Sequence, residues 1–276
     1  MGSMSASPFF AALPSRALIS VAGPDWRDFL HNLLTNDVAA LKAGEVRFAA
    51  LLTPQGRLLF DLFVIGREDG CWLDCQAERR AALIQRLSIY RLRAKVEIAA
   101  DEAGVGVLFG DAALAPRPGW SPDPRLPALG LRGYGQPAPA DARPADEADY
   151  EALRLALGAP GPGDWGEDRA YPIEADFDLL GGIDFHKGCF IGQETTSRMK
   201  RRGVVKSRMA PIAFDGPPPP PGTEILAGEL RAGEVLSGVE GRAMALLRLD
   251  RVAGAALTAD GRPVRMERPA WFPADA

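Results

Sequence analysis

Cysteine and histidine are scarce in this chain of 276 residues, which holds Cys71, Cys75 and Cys189 and, of histidine, His31 and His186 alone. Three thiols cannot form the framework of several disulfides that staples a small secreted domain, and they fit a reducing compartment. A zinc or cluster site would have to recruit every cysteine without a fourth to complete it. Core packing is the simpler role for Cys71 and Cys75, and no metal site is expected. The sequence has no G-x-S-x-G turn, so a Ser-His-Asp hydrolase is poorly supported. A Cys-His thiol hydrolase stays open, because His186 lies three residues before Cys189. No apolar run approaches the roughly 20 residues of a membrane-spanning helix, and the opening residues lack a basic start followed by a long apolar stretch, so a cytoplasmic protein with no membrane partner is expected. Nor is there a surplus of cations. Against 32 Lys+Arg stand 36 Asp+Glu, a net charge of -4, so nucleic acid is not an expected partner of the molecule as a whole and any basic function must be local.

What is present reads as alternating short elements. Arg16 to Val21 is an apolar strand that ends at Ala22-Gly23-Pro24-Asp25, and Trp26, Phe29, Leu30, Leu33 and Leu34 then recur at helical spacing. Two β-rich runs from Val46 flank Thr53-Pro54-Gln55-Gly56, the composition of a hairpin turn. Cys71 to Cys75 reads as a strand and Glu78 to Leu92 as an amphipathic helix with arginines on its outer face, followed by strands over Lys95 to Ala99 and Val105 to Phe109. Residues 115 to 146 are loaded with proline, glycine and alanine, which predicts a loop or surface insertion around one short strand near Leu129 to Tyr134. A helix over Glu147 to Leu157 stops at Gly158-Ala159-Pro160. Five prolines, Pro217 to Pro221, make a stiff surface segment, and short glycine-separated runs after it have the rhythm of a small antiparallel barrel or sandwich. The front two thirds are thus mixed α+β and the last quarter all-β.

The segment richest in chemistry is GGIDFHKGCFIGQETTSRMKRRG, Gly181 to Gly203. Gln193 to Arg202 carries an acid at its start and four cations toward its end, with Gly203 as a stop, the charge order that suits a helix macrodipole. Cys189 sits on the approach to that helix with Lys187 two residues earlier, both features that favour a thiolate. The alternative is that Cys189 is a small buried residue in a turn permitted by Gly188 and Gly192. Lys187, Arg198, Lys200, Arg201, Arg202 and Lys206 face a single acid, Glu194. That patch suits an anionic ligand, a solvated helix end or, least well, an RNA surface, since few aromatics lie near it.

Lys187 to Glu194, KGCFIGQE, resembles the K-G-C-[FY]-x-G-Q-E signature of the YgfZ family of folate-binding proteins in iron-sulfur cluster assembly. The likeness extends to Leu153-Arg154 before Gly158-Ala159-Pro160, to Pro172-Ile173-Glu174, to Gly182-Ile183-Asp184-Phe185 and to Arg198. Toward the amino terminus it takes in Gly23-Pro24-Asp25, Phe29-Leu30, Leu34-Thr35-Asn36-Asp37 and Gly56-Arg57. That family is itself similar to the glycine-cleavage T-protein, so the resemblance implies an α+β, aminomethyltransferase-like fold of three lobes. Its mixed α/β lobes would span residues 4–203, and a small carboxy-terminal antiparallel β-barrel residues 204–276. It implies an accessory factor for cluster assembly or repair, with Cys189 and Lys187 as the catalytic pair. Tetrahydrofolate, with one or several glutamates, would be bound by Asp61, Arg154, Glu174, Gln193 and Arg198. Partners would be an assembly scaffold or client proteins, with transient contact to a cluster. The T-protein carries carboxylates where this sequence has Phe60 and Ala156, and an alkyl or phenyl group cannot stand in for a carboxylate in proton transfer. Aminomethyl transfer is therefore the lesser expectation.

Overall fold

The computed structural model describes residues 7–110, 115–201, 203 and 205–272. The chain divides into two compact units, each assembled from separated segments: the first from residues up to Pro54, Leu59–Tyr150 and Leu180–Ile191, the second from Gln55–Leu58, Glu151–Leu179 and Gly192 onward.

In the first unit the apolar run at the front becomes β1 (Phe9–Ala12) and β2 (Arg16–Ala22), followed by α1 (Trp26–His31). The hairpin runs are β3 (Val46–Leu52) and β4 (Leu58–Arg67), and the cysteine strand is β5 (Gly70–Gln76). Next come α2 (Arg80–Arg91), β6 (Glu97–Asp101) and β7 (Val105–Phe109). One sheet has the order β3-β4-β5-β2-β6. In β4, nine of the ten residues are buried, because both faces of this inner strand are covered, and a strand covered on both faces reads as an unbroken apolar run. Trp26, Phe29 and Leu30 of α1 and Leu83 and Leu87 of α2 pack with Cys71 and Cys75 in one core.

The stretch expected as a surface insertion is structured and partly interior. It supplies β8 (Trp120–Pro122), β9 (Leu131–Tyr134) and β10 (Arg143–Pro144) to a second sheet, of order β10-β1-β7-β9-β8. Its glycines serve packing: a Cβ at Gly133 would stand 2.7 Å from the Trp120 ring. It also buries three charges, Asp123, Arg125 and Arg132. Composition could not show this, since Arg132 is buried against Asp74, which lies far back in the chain on β5.

Those charges complete a buried network. Asp74 on β5 takes Arg132 of β9 at 2.6 Å and Arg16 of β2 at 2.6 Å. Arg16 also reaches Asp61 of β4 at 2.8 Å, while Asp123 holds Arg125 at 2.8 Å and Arg132 at 3.5 Å. Three carboxylates thus balance three guanidiniums. The Phe63 ring lies under all three cations, 4.0 Å from the Arg132 carbon, 4.9 Å from that of Arg125 and 5.6 Å from that of Arg16. Burial by itself would raise the Asp123 carboxyl, yet Arg125 and Arg132 beside it hold it below the usual carboxylate range.

The second unit opens with α3 (Glu147–Ala156, from Glu151 on) and α4 (Pro162–Trp165). After α5 (Gln193–Arg201) come β11 (Ser207–Ala213), β12 (Glu224–Ala227), β13 (Leu230–Val239) and β14 (Arg242–Arg248). The short α6 (Leu249–Val252), β15 (Leu257–Ala259) and β16 (Arg262–Met266) complete it. The six strands close into an antiparallel barrel, β11-β14-β13-β12-β15-β16, sealed where Ile212 pairs with Met266. Its interior is filled by Ile212, Ile225, Val235 and Leu247 with alanines between them. The five prolines form the loop before β12.

Of carboxylate partners, removing Asp74 leaves buried Arg16 with Asp61 alone and buried Arg132 with only the longer contact to Asp123. Asp74→Ala is expected to lower the free energy of unfolding by about 3–5 kcal/mol, measured by urea titration. Truncating Arg117, whose pair with Asp141 is exposed, is expected to move the midpoint little.

Candidate functional site

The loop that carries Cys189 is built on the chain that leaves α1. Thr35 donates its hydroxyl to Gly182 O at 2.6 Å, Asp184 N–H donates to Thr35 O at 3.0 Å, and Asn36 Nδ2 donates to Gly181 O and Phe48 O, both at 2.7 Å. Within the loop, Asp184 Oδ1 accepts from the N–H of His186 at 2.7 Å and of Lys187 at 3.3 Å, a local turn of the kind aspartate makes. The Lys187 ammonium reaches back to the end of α1 and the chain just beyond it, donating to His31 O and, at 2.6 Å, to Leu34 O. Carbonyls at a helix C-terminus lack intrahelical partners and carry the negative end of the dipole, so a cation is favoured there. Partial burial nevertheless lowers the Lys187 pKa to about 8, with Asp37 and Asp184 holding it up against that trend. Phe190 is buried beside Lys187, whose ammonium stands 5.3 Å from the ring centre, and Ile191 packs against the core.

Cys189 lies between these anchors and is exposed, whereas Cys71 and Cys75 are buried. Burial pushes the Cys75 thiol up to about 12 and the Cys71 thiol further still, so neither ionises at neutral pH. A second imidazole, that of His31, also stands beside the loop: a Cβ at Gly188 would lie 4.0 Å from His31 Nε2, while His31 Nδ1 lies 3.1 Å from Asp37 Oδ1. Sequence reasoning considered only His186, which is exposed. The sequence signal for the side chains that pin this loop was the Thr35-Asn36-Asp37 turn chemistry directly after an apolar helical stripe. Of the two glycines expected to bend the backbone, Gly192 takes a positive φ of 79° and Gly188 does not. Among the described residues no group of three or more His, Cys, Asp or Glu side chains is placed to hold a metal ion.

The expected cofactor residues divide between the units. In the first, Asp61 is buried and engaged by Arg16 and by Gln76 Nε2 at 3.2 Å. In the second, Arg154 is buried in a pair with Asp164 at 2.8 Å, with a further bond to Glu151, and it also donates to Ala159 O. Glu174 is partly buried, which raises its carboxyl above the ordinary value against the pull of Tyr171 N–H and Arg57. Its Oε2 accepts from Tyr171 N–H at 3.0 Å. Gln193 opens α5 and is half-buried, and Arg198 is exposed on the same helix. Of the basic residues grouped in the sequence, Lys187 spends its charge on α1, Lys200 stands 3.8 Å from Asp178, and Arg202 lies outside the described residues. The patch is therefore weaker than its residue count, because a cation already facing carbonyls or a carboxylate has less to offer a ligand.

Residues 206–274 match the family described as CAF17, C-terminal beta-barrel domain. The fold is that of glycine cleavage system aminomethyltransferase T from Bartonella henselae, with a TM-score of 0.79, 97% of this chain and 87% of that chain covered, and 18% identity, a likeness that shows the fold alone. The iron-sulfur cluster assembly factor IBA57 homolog, mitochondrial, of Pyricularia oryzae is 33% identical, with 92% of this chain and 75% of the relative covered. The human iron-sulfur cluster assembly factor IBA57, mitochondrial, is 32% identical, with 88% and 78% covered. The chain spans 54% of the Neurospora crassa homolog, at 32% identity. That these relatives are named mitochondrial overturns the cytoplasmic expectation. Scarce cysteine reports a reducing compartment without saying which one, and an organelle address is read from a targeting segment rather than from overall composition. At 32–33% identity over 75–78% of the human and Pyricularia relatives, the chain belongs to the IBA57 family.

Proposed function

We propose that this protein is an accessory factor for iron-sulfur cluster assembly or repair on client enzymes, that it acts through the Cys189 thiol, and that it binds tetrahydrofolate. The family supports the first part, since its members are named iron-sulfur cluster assembly factors. The observation that carries the second is the partition of the cysteines: two are sealed in the core as neutral thiols, and the third stands in solvent on a loop pinned at Thr35, Asn36 and Lys187. A thiol held this way reaches a partner without the loop having to order first. One thiolate is one of the four ligands that a cluster takes, so a cluster touching Cys189 draws its other ligands from the partner that gives or receives it.

Tetrahydrofolate enters as a ligand. Its pterin edge asks for a carboxylate or amide and its glutamate tail for a cation. Glu174, Gln193 and Arg198 supply those groups from partly buried or exposed positions. Asp61 and Arg154 already satisfy internal partners, so a ligand at either would share a carboxylate with Arg16 or a guanidinium with Asp164. The second reading, one-carbon transfer, is favoured by the shared fold with aminomethyltransferase T. Against it, Phe60 is buried under the Arg79 guanidinium at 4.2 Å and Ala156 ends α3, so neither position offers a carboxylate.

A brief iodoacetamide pulse on the native protein, read by mass spectrometry, is expected to label Cys189 and leave Cys71 and Cys75 unmodified at pH 7 and at pH 9, both below the point at which burial lets the core thiols ionise. Cys189→Ser is expected to leave the thermal midpoint unchanged and to fail to restore iron-sulfur enzyme activity in cells lacking the native protein. Full restoration together with slow labelling would remove the thiol from the function. Tetrahydrofolate is expected to raise the thermal midpoint, because a ligand of the native state alone adds to its stability. The polyglutamate form should do so more strongly at low salt and less so as salt screens Arg198, whereas no shift with either form would remove folate from the proposal.

A further inference from the structure

Large apolar side chains rarely stand free on this protein. Among the described residues three do, Ile89 at 61% exposure, Leu92 at 88% and Leu230 at 63%. Ile89 lies in the last turn of α2 and Leu92 is the first residue past its end. Four exposed cations surround them, Arg86, Arg91, Arg93 and Lys95, and none has an ion-pair partner among the described residues. The nearby carboxylates are Glu97, which begins β6, and Asp25, whose Oδ2 is taken by Lys95 N–H at 2.7 Å.

The tip is held in shape against a local cost. Ala94 N–H closes a turn onto Arg91 O at 2.7 Å, and Leu92 occupies its first central position with φ 45° and ψ -104°. Those angles are near the type II′ turn, whose first central residue is ordinarily glycine because a side chain there is strained. The Gly23–Pro24 turn braces it from below, where a Cβ at Gly23 would stand 2.4 Å from Lys95 O. Between that turn and the 91–97 loop lies an open concavity of about 590 Å³. The fold therefore spends strain to hold a leucine outward, beside a basic hollow, in a rigid setting.

We propose that this tip docks an acidic segment of a partner protein, with leucine-like side chains on Ile89 and Leu92 and carboxylates on Arg91, Arg93 and Lys95. Charge complementarity selects the acidic occupant. The hollow selects a protein chain over a bilayer, since a peptide fills a concavity that a flat lipid surface leaves empty. Nucleic acid is disfavoured because the tip exposes no aromatic face for a base to stack on, Tyr90 being half-buried. Arginine, present here at Arg91 and Arg93, is among the residues enriched at interface hot spots.

The test uses the full chain and a fluorescein-labelled peptide of repeated Glu-Glu-Leu triplets, read by fluorescence anisotropy, with phosphatidylglycerol vesicles and oligouridine as competing probes. Saturable peptide binding that weakens with salt is expected, with Leu92→Gly and Arg93→Glu each weakening it at least tenfold. Leu230→Ser, on the barrel, should leave it unchanged. Leu92→Gly is expected to fold with a thermal midpoint close to the parent's, since glycine suits the turn, and Arg93→Glu tests the same surface without touching the backbone. Absence of saturable peptide binding, peptide binding indifferent to both variants, or binding of vesicles or oligouridine in place of the peptide would overturn the proposal.

Discussion

The ion pair between Asp74 and Arg132 joins the two sheets of the first unit, and much else in that unit is arranged to make it tolerable. A guanidinium taken out of water costs several kcal/mol unless a carboxylate and further hydrogen bonds replace its hydration. Here Asp74 answers Arg132 and Arg16 together, Tyr134 and Asp123 take more of the Arg132 donors, and Phe63 offers its ring face. Such a network contributes little to net stability beyond what apolar packing of equal volume would give. What it adds is register, because β5 and β9 satisfy these groups only when Asp74 and Arg132 face each other. It also commits Asp61, which Arg16 holds, so a residue that reads as a ligand group in sequence is first a structural one.

The cysteine loop depends on the same unit through different contacts. α1 is short, and the Lys187 side chain, from a point distant in sequence, takes the carbonyl of its last residue, His31, and that of Leu34 just beyond it. A single lysine thereby closes a helix and fixes the position of the thiol two residues later. The buried cysteines show the contrast: identical in chemistry, they are held neutral by surroundings that Cys189 does not share. In this chain exposure rather than residue type distinguishes the three thiols, Cys189 facing solvent while Cys71 and Cys75 are packed in the core.

Fold and function part company at the level of particular side chains. The architecture shared with aminomethyltransferase T carries no activity with it, and the positions at which carboxylates are missing, Phe60 and Ala156, lie on regular elements that the fold keeps whatever residue they bear. The IBA57 family is the nearer guide because identity there extends over most of both chains.

What short-range patterns decide was legible in the sequence. Apolar periodicity placed β2, α1, β5, β7 and α3 close to their observed bounds, the Pro-Gly turn marked the hairpin, and glycine spacing announced a small β-domain, because local propensity and burial act within a few residues of each other. The KGCFIGQE motif was likewise legible as one contiguous string. Folding alone established that residues 115–146 give strands and buried charges, that Asp61 and Arg154 are bound to internal partners, that His31 stands beside Gly188, and that Lys187 reaches the end of α1. Most of these rest on a pairing between groups well separated in the chain, such as Asp74 with Arg132 and Lys187 with His31 O. The energy that fixes it, a desolvated charge finding its counter-charge or a helix end finding a cation, exists only once folding has brought the two together.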